Sequence, residues 1–188
     1  MRRKVFDLLF EPKQRMTELS DVSSLWRSLF YFVLSMGICS GIVTNVLFSG
    51  SSLAVRGGIL LGFVVFHLVA LIVYTCFLHG LSDACGAPGG DIRALLGLLG
   101  YAALPYLVVA PIFLLSVKLG GFWLVFIVLA GMGASLWALF LVIRALQAVY
   151  LLTFFRACAM VCFSIFLLTV ATILPIYLAS KMLLISFG

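Results

Sequence analysis

The residues of this chain best suited to metal or redox chemistry are two histidines and five cysteines, and their spacing argues against it. His67 and His79 lie twelve residues apart in one apolar run. On a helix that is about 18 Å along the axis and about 120° around it, so the two rings cannot ligate one metal or haem from the same side. Cys39, Cys76, Cys158 and Cys162 fall in apolar runs, where a thiol behaves as a small hydrophobe, and Cys85 stands alone in a polar loop. There is no CxxC and no Cys/His zinc pattern. The six acidic residues include no pair within an apolar run, and Ala87-Pro88-Gly89-Gly90 follows no strand and fits no phosphate-loop pattern. Asp91, just ahead of a helical run, reads as an N-cap. Enzymatic turnover, a bound metal and a cofactor are therefore not expected. His67 is the ionisable residue near mid-span, which makes it a functional hypothesis; a neutral imidazole bonded to a neighbouring helix is its structural alternative.

The elements that would hold these residues are long and apolar. Hydrophobic residues make up 65% of the 188, charged residues 10%, and mean hydropathy is +1.31. Soluble domains average about 45–50% apolar and about 25% charged, so the composition describes an integral membrane protein. The expected fold is all-α and polytopic, with five transmembrane helices over about 29–48, 57–80, 94–117, 122–143 and 157–179. Residues 29–188 then form the transmembrane domain and 1–28 a cytoplasmic or interfacial segment. In that segment Met16, Leu19, Val22 and Trp26 recur at helical spacing, as in an amphipathic helix lying on the membrane. Gly37/Gly41 and Gly58/Gly62 are small-xxx-small pairs that predict a tightly packed first hairpin. Arg144 to Arg156 reads as an interfacial segment with snorkelling guanidinium groups.

The net charge of +6 suggests nucleic acid at first sight, yet half the basic residues precede the first span. With the amino terminus cytoplasmic, basic residues divide nine against three in favour of that side, which places the carboxyl terminus outside. The charge is thus an orientation signal, and no nucleic-acid partner is expected.

The stretch from Ser82 to Pro111 organises the rest. A polar, glycine-rich loop leads into a third span that carries Pro105 and Pro111. A proline there removes a backbone donor, and hydrocarbon forbids the freed carbonyl from going unpaired, so the span should sit inside a helix bundle. Small residues of the fourth span, Gly131, Gly133 and Ser135, are placed to receive Tyr101 or the kinked backbone. Gly100-Tyr101-Ala102-Ala103-Leu104-Pro105 reads GYxxxP. With the loop before it and apolar spans on both sides, the chain resembles the Yip family over roughly residues 10–178. These are polytopic membrane proteins whose eukaryotic members associate with Rab-type GTPases. The DLYGP motif of those members is absent; Phe6-Asp7-Leu8-Leu9-Phe10-Glu11-Pro12 stands in its place, closer to the opening of the short bacterial relatives.

The resemblance implies a non-enzymatic membrane adaptor or scaffold in a prokaryotic plasma membrane, with the bilayer and membrane or cytosolic proteins as partners and a homo-oligomer left open. The alternative is a small transporter, channel or lipid-handling protein with its site near the broken span. The candidate residues are Gly100, Tyr101 and Pro105 as the motif, and His67 with Tyr101 as an intramembrane polar site.

Overall fold

A computed structural model describes residues 25–87, 89–116 and 123–187, in six helices. They are α1 (Leu25–Leu47), α2 (Leu53–Ala84), α3 (Ile92–Tyr101), α4 (Tyr106–Ser116), α5 (Trp123–Tyr150) and α6 (Phe154–Phe187). The amphipathic segment expected before residue 25 and the turn expected at Lys118–Gly121 lie outside the described residues. Five helices are long and apolar enough to cross a membrane, α3 and α4 together making the third. The fold is all-α and polytopic, as the composition predicts.

Most helices overrun their expected ends. Helix α1 starts by Leu25, so Leu25–Ser28 belong to the first span rather than to the segment before it. Helix α2 runs from the N-cap Ser52 to Ala84, one turn past Gly80, and α6 passes through Pro175 and Lys181 to Phe187. The stretch from Arg144 continues α5 as far as Tyr150, and Ala145 and Leu146 are fully buried. A charge does not end a helix when its stem can lie along apolar neighbours. The Arg144 guanidinium sits 4.8 Å from the ring centroid of Phe140 and 5.4 Å from that of Phe154, and its Nη1 donates to Gln147 Oε1 at 2.8 Å. Gln147 Nε2 donates in turn to the Leu152 carbonyl at 3.3 Å, which braces the corner between α5 and α6. Leu151, at φ 53°, makes that corner without a glycine.

The third span is the hub. Helix α3 packs on α1, α2 and α5, and α4 on α1 and α5, whereas α6 packs chiefly on α2 and α5 among the described residues. Half of the third span's apolar window is buried, against 11 to 22% in the other four. Pro105 divides it. Lacking an N–H, Pro105 leaves the Tyr101 carbonyl without its helical donor, and the chain answers by tightening. The N–H of Leu104 donates to Tyr101 O at 3.1 Å, Tyr106 to Ala103 at 3.1 Å and Leu107 to Leu104 at 3.0 Å. Pro111 is carried inside α4 and does not end it.

The core occupies one half of the bundle. Leu78, Leu95, Leu98, Leu141, Leu146 and Val161 are its largest fully buried apolar side chains, all toward the end that carries the 85–91 loop. In the other half Leu61, Phe66, Leu115, Leu129 and Leu136 are exposed, a surface that suits lipid.

Candidate functional site

Gly97 through Pro105 are buried without interruption, so the GYxxxP motif forms the centre of the molecule. Three side chains on one face of α1 serve its backbone. Ser28 Oγ donates to the Gly97 carbonyl, Ser35 Oγ to Ala103 at 2.6 Å and Cys39 Sγ to Tyr106 at 3.1 Å. Their spacing of seven and four residues puts all three on one stripe. Together they run along the broken span from Gly97 to Tyr106, each pairing its own polar hydrogen with a backbone carbonyl where hydrocarbon would offer no partner. Sequence reasoning missed this ladder. Its signal was the i, i+7, i+11 spacing of small polar residues in an otherwise apolar helix.

Gly100 is there for close approach. A Cβ at this position would collide with Ser28 Oγ and come within 3.1 Å of the Ser28 carbonyl carbon and oxygen. The expected contacts of the first hairpin do not form. A Cβ at Gly37, Gly58 or Gly62 would meet nothing within 4 Å, and one at Gly41 only Leu60 Cδ1 at 3.9 Å. The same emptiness surrounds Gly131 and Gly133, which therefore do not receive Tyr101. Ser135 bonds Tyr106 Oη at 3.1 Å instead.

Tyr101 is 2% exposed and its ring packs, tilted, 5.8 Å from that of Tyr31. Because α3 stops at Tyr101, Pro105 does not continue its helical face, although a four-residue spacing in one unbroken helix would have put the two on one stripe. Tyr101 therefore acts through its ring. Tyr101→Ala should cost about 3 kcal/mol or more and Tyr101→Phe less than about 0.5 kcal/mol, read from thermal unfolding in detergent.

His67 and His79 occupy different places. His67 Nδ1 bonds its own helix at the Phe63 carbonyl, 2.7 Å away, and its ring lines a cavity of about 350 Å³ with Tyr106 of α4. His67 and Tyr101 are thus not brought into one site: the residue after the break that meets His67 is Tyr106. His79 lies at the loop end of the bundle. The Tyr150 hydroxyl bonds its Nδ1, and Asp83 Oδ2 stands 3.5 Å from its Nε2. The extra turn of α2 carries Asp83 onto the face of His79, and Tyr150 arrives from 71 residues away. The Tyr150 ring also fills the space where a Cβ of Gly90 would stand, tying the loop to α5. Asp91 caps α3, its Oδ1 accepting from Arg93 N at 2.9 Å. Between Cys85–Ala87 and the α5–α6 corner, with Arg156 at its edge, opens a cleft of about 570 Å³.

The fold and this centre define an all-α integral membrane protein built round a broken, hydroxyl-braced central span. The model of the Yip1 domain family matches residues 6–175, and the chain belongs to that family. No curated protein and no solved structure matches it.

Proposed function

We propose that this Yip-family membrane protein is a non-enzymatic adaptor or scaffold whose packed end faces the cytoplasm and receives protein partners. The observation that carries the reading is the cleft of about 570 Å³ at that end. Its walls are the 85–87 loop, held in place by Tyr150 against Gly90, and the braced α5–α6 corner, and the Arg156 guanidinium stands exposed at its rim. Preformed concavities on rigid elements are where binding sites occur. Purified in mild detergent, the protein should carry a protein partner in near-stoichiometric amount. Arg156→Glu should lose that partner while keeping the parent's melting temperature; no protein at all in the parent would overturn the reading.

The excess of basic residues toward the amino terminus supports a cytoplasmic amino terminus and an external carboxyl terminus. The opening Phe6–Pro12, similar to that of short bacterial relatives, supports a prokaryotic plasma membrane. Cys85 is exposed in the loop, so a membrane-impermeant thiol reagent should label it from the cytoplasmic side and not in intact cells. Labelling from outside that disappears in Cys85→Ser would reverse the topology.

The cavity at His67 favours a second reading, a small transporter, channel or lipid-handling protein. A copurified lipid or small molecule with no protein partner would move the assignment there.

A further inference from the structure

The ladder of α1 side chains has a sequel. Ser28, Ser35 and Cys39 each find a carbonyl, but Thr44, on another face of the helix, does not: it is 2% exposed and its buried Oγ1 has no partner among the described residues. Ser40, 8% exposed, lies one turn before it on the same face. In hydrocarbon a buried hydroxyl without a partner is costly, so this face of α1 marks a place where something else could supply a bond. Ser40 lines the cavity of about 350 Å³ together with His67. The rest of the wall is apolar, with Met36, Val43 and Phe63 prominent, and Cys39 and Tyr106 have their polar atoms engaged elsewhere.

The chemistry of this wall selects an occupant. A carbonyl only accepts, so the bond to Phe63 O places the proton on His67 Nδ1 and leaves Nε2 of the neutral ring as an acceptor. Ser40 offers a donor. No cationic or anionic side chain lines the cavity, and by helical rise it lies about 22 Å into α1 and about 25 Å from the loop end of α2, near mid-bilayer. A phosphate headgroup cannot follow a chain to that depth, whereas an uncharged hydroxyl can. We infer that the α1–α2–α4 cavity is a binding site for a neutral, hydroxyl-bearing lipid, such as a long-chain alcohol or diacylglycerol. The lipid hydroxyl donates to His67 Nε2 and accepts from Ser40 Oγ, and its chain lies along Met36, Val43 and Phe63. The inference goes beyond the adaptor reading and does not require that lipid be moved across the membrane.

The test uses the full chain in phosphatidylcholine nanodiscs with a diazirine-bearing hexadecanol as probe and mass spectrometry to locate the adducts. Adducts should concentrate on residues 36–43 and 63–67, and excess unlabelled hexadecanol should displace them. Phosphatidylcholine carrying the same diazirine should label the lipid-facing helices evenly. Ser40→Ala removes one hydroxyl from the cavity wall and, with the parent's melting temperature retained, should lower cavity labelling about fivefold, as loss of one hydrogen bond does. His67→Phe should do the same or more. Hexadecanol adducts as dense on Leu129 and Leu136 of α5 as in the cavity would overturn the inference. So would labelling indifferent to both substitutions, or a cavity that takes up water only and yields no displaceable adduct. A failure here leaves the copurified partner, and hence the adaptor reading, untouched.

Discussion

Gly100→Val should cost the bundle about 3 kcal/mol and drive much of the protein into aggregates on detergent extraction. The new side chain has nowhere to go. It meets the Ser28 hydroxyl and, at 3.1 Å, the Ser28 backbone, which no rotamer change can move aside. Relief requires α1 to back away from α3, and that shift would break the bond from Ser28 to Gly97 and loosen those from Ser35 and Cys39. The buried Ser28 hydroxyl, stripped of its acceptor in an apolar interior, adds about 1–3 kcal/mol to the steric cost. The control is Gly62→Ala, where a Cβ meets nothing within 4 Å. It should change stability by less than about 1 kcal/mol and in the stabilising direction, since alanine is the better helix former. Thermal unfolding of the two variants beside the parent checks the pair. Equal melting temperatures would show that the close approach at Gly100 is immaterial.

The second large effect is expected at the loop end. Tyr150→Ala removes a ring 8% exposed that packs on Gly90 and bonds His79, and should cost about 3–5 kcal/mol. It should also free the loop, so that Cys85 in permeabilised membranes reacts faster with thiol reagents than in the parent. Tyr150→Phe keeps the ring and loses only the hydroxyl. It should cost about 1 kcal/mol and leave Cys85 reactivity unchanged. If both variants labelled at the parent's rate, Tyr150 would not be what holds the loop.

The parts of this fold visible in the sequence are those that depend on one segment at a time. Five apolar runs are long enough to span because lipid demands it, and Pro105 marks the break because it lacks an N–H. The identity of the central span was legible for the same reason. Contacts between segments were not. Gly37, Gly41, Gly58, Gly62 and Gly100 look alike as glycines in apolar runs, and of these only Gly100 lies where a neighbouring backbone comes close. His79 and Tyr150 are 71 residues apart, and nothing local in either run announces the other. Helix ends were misjudged where an arginine was taken for the membrane surface, as at Arg144, whose guanidinium rests on two phenylalanine rings.

Helix α2 has 32 residues and is therefore about 48 Å long, some 18 Å more than the roughly 30 Å of hydrocarbon it crosses. Tilt alone would have to exceed the 0–40° common among spanning helices to hide that surplus. Its last turns, from Thr75 to Ser82, are locked into the core and are not free to lie flat on the surface. The surplus should therefore emerge from the hydrocarbon, and at the packed end that would set His79, Asp83 and Tyr150 among the headgroups. A thicker, sterol-rich or long-chain bilayer would draw that end inward and bury its polar residues. Membrane thickness becomes a variable that sets how far the 85–91 loop reaches into the water.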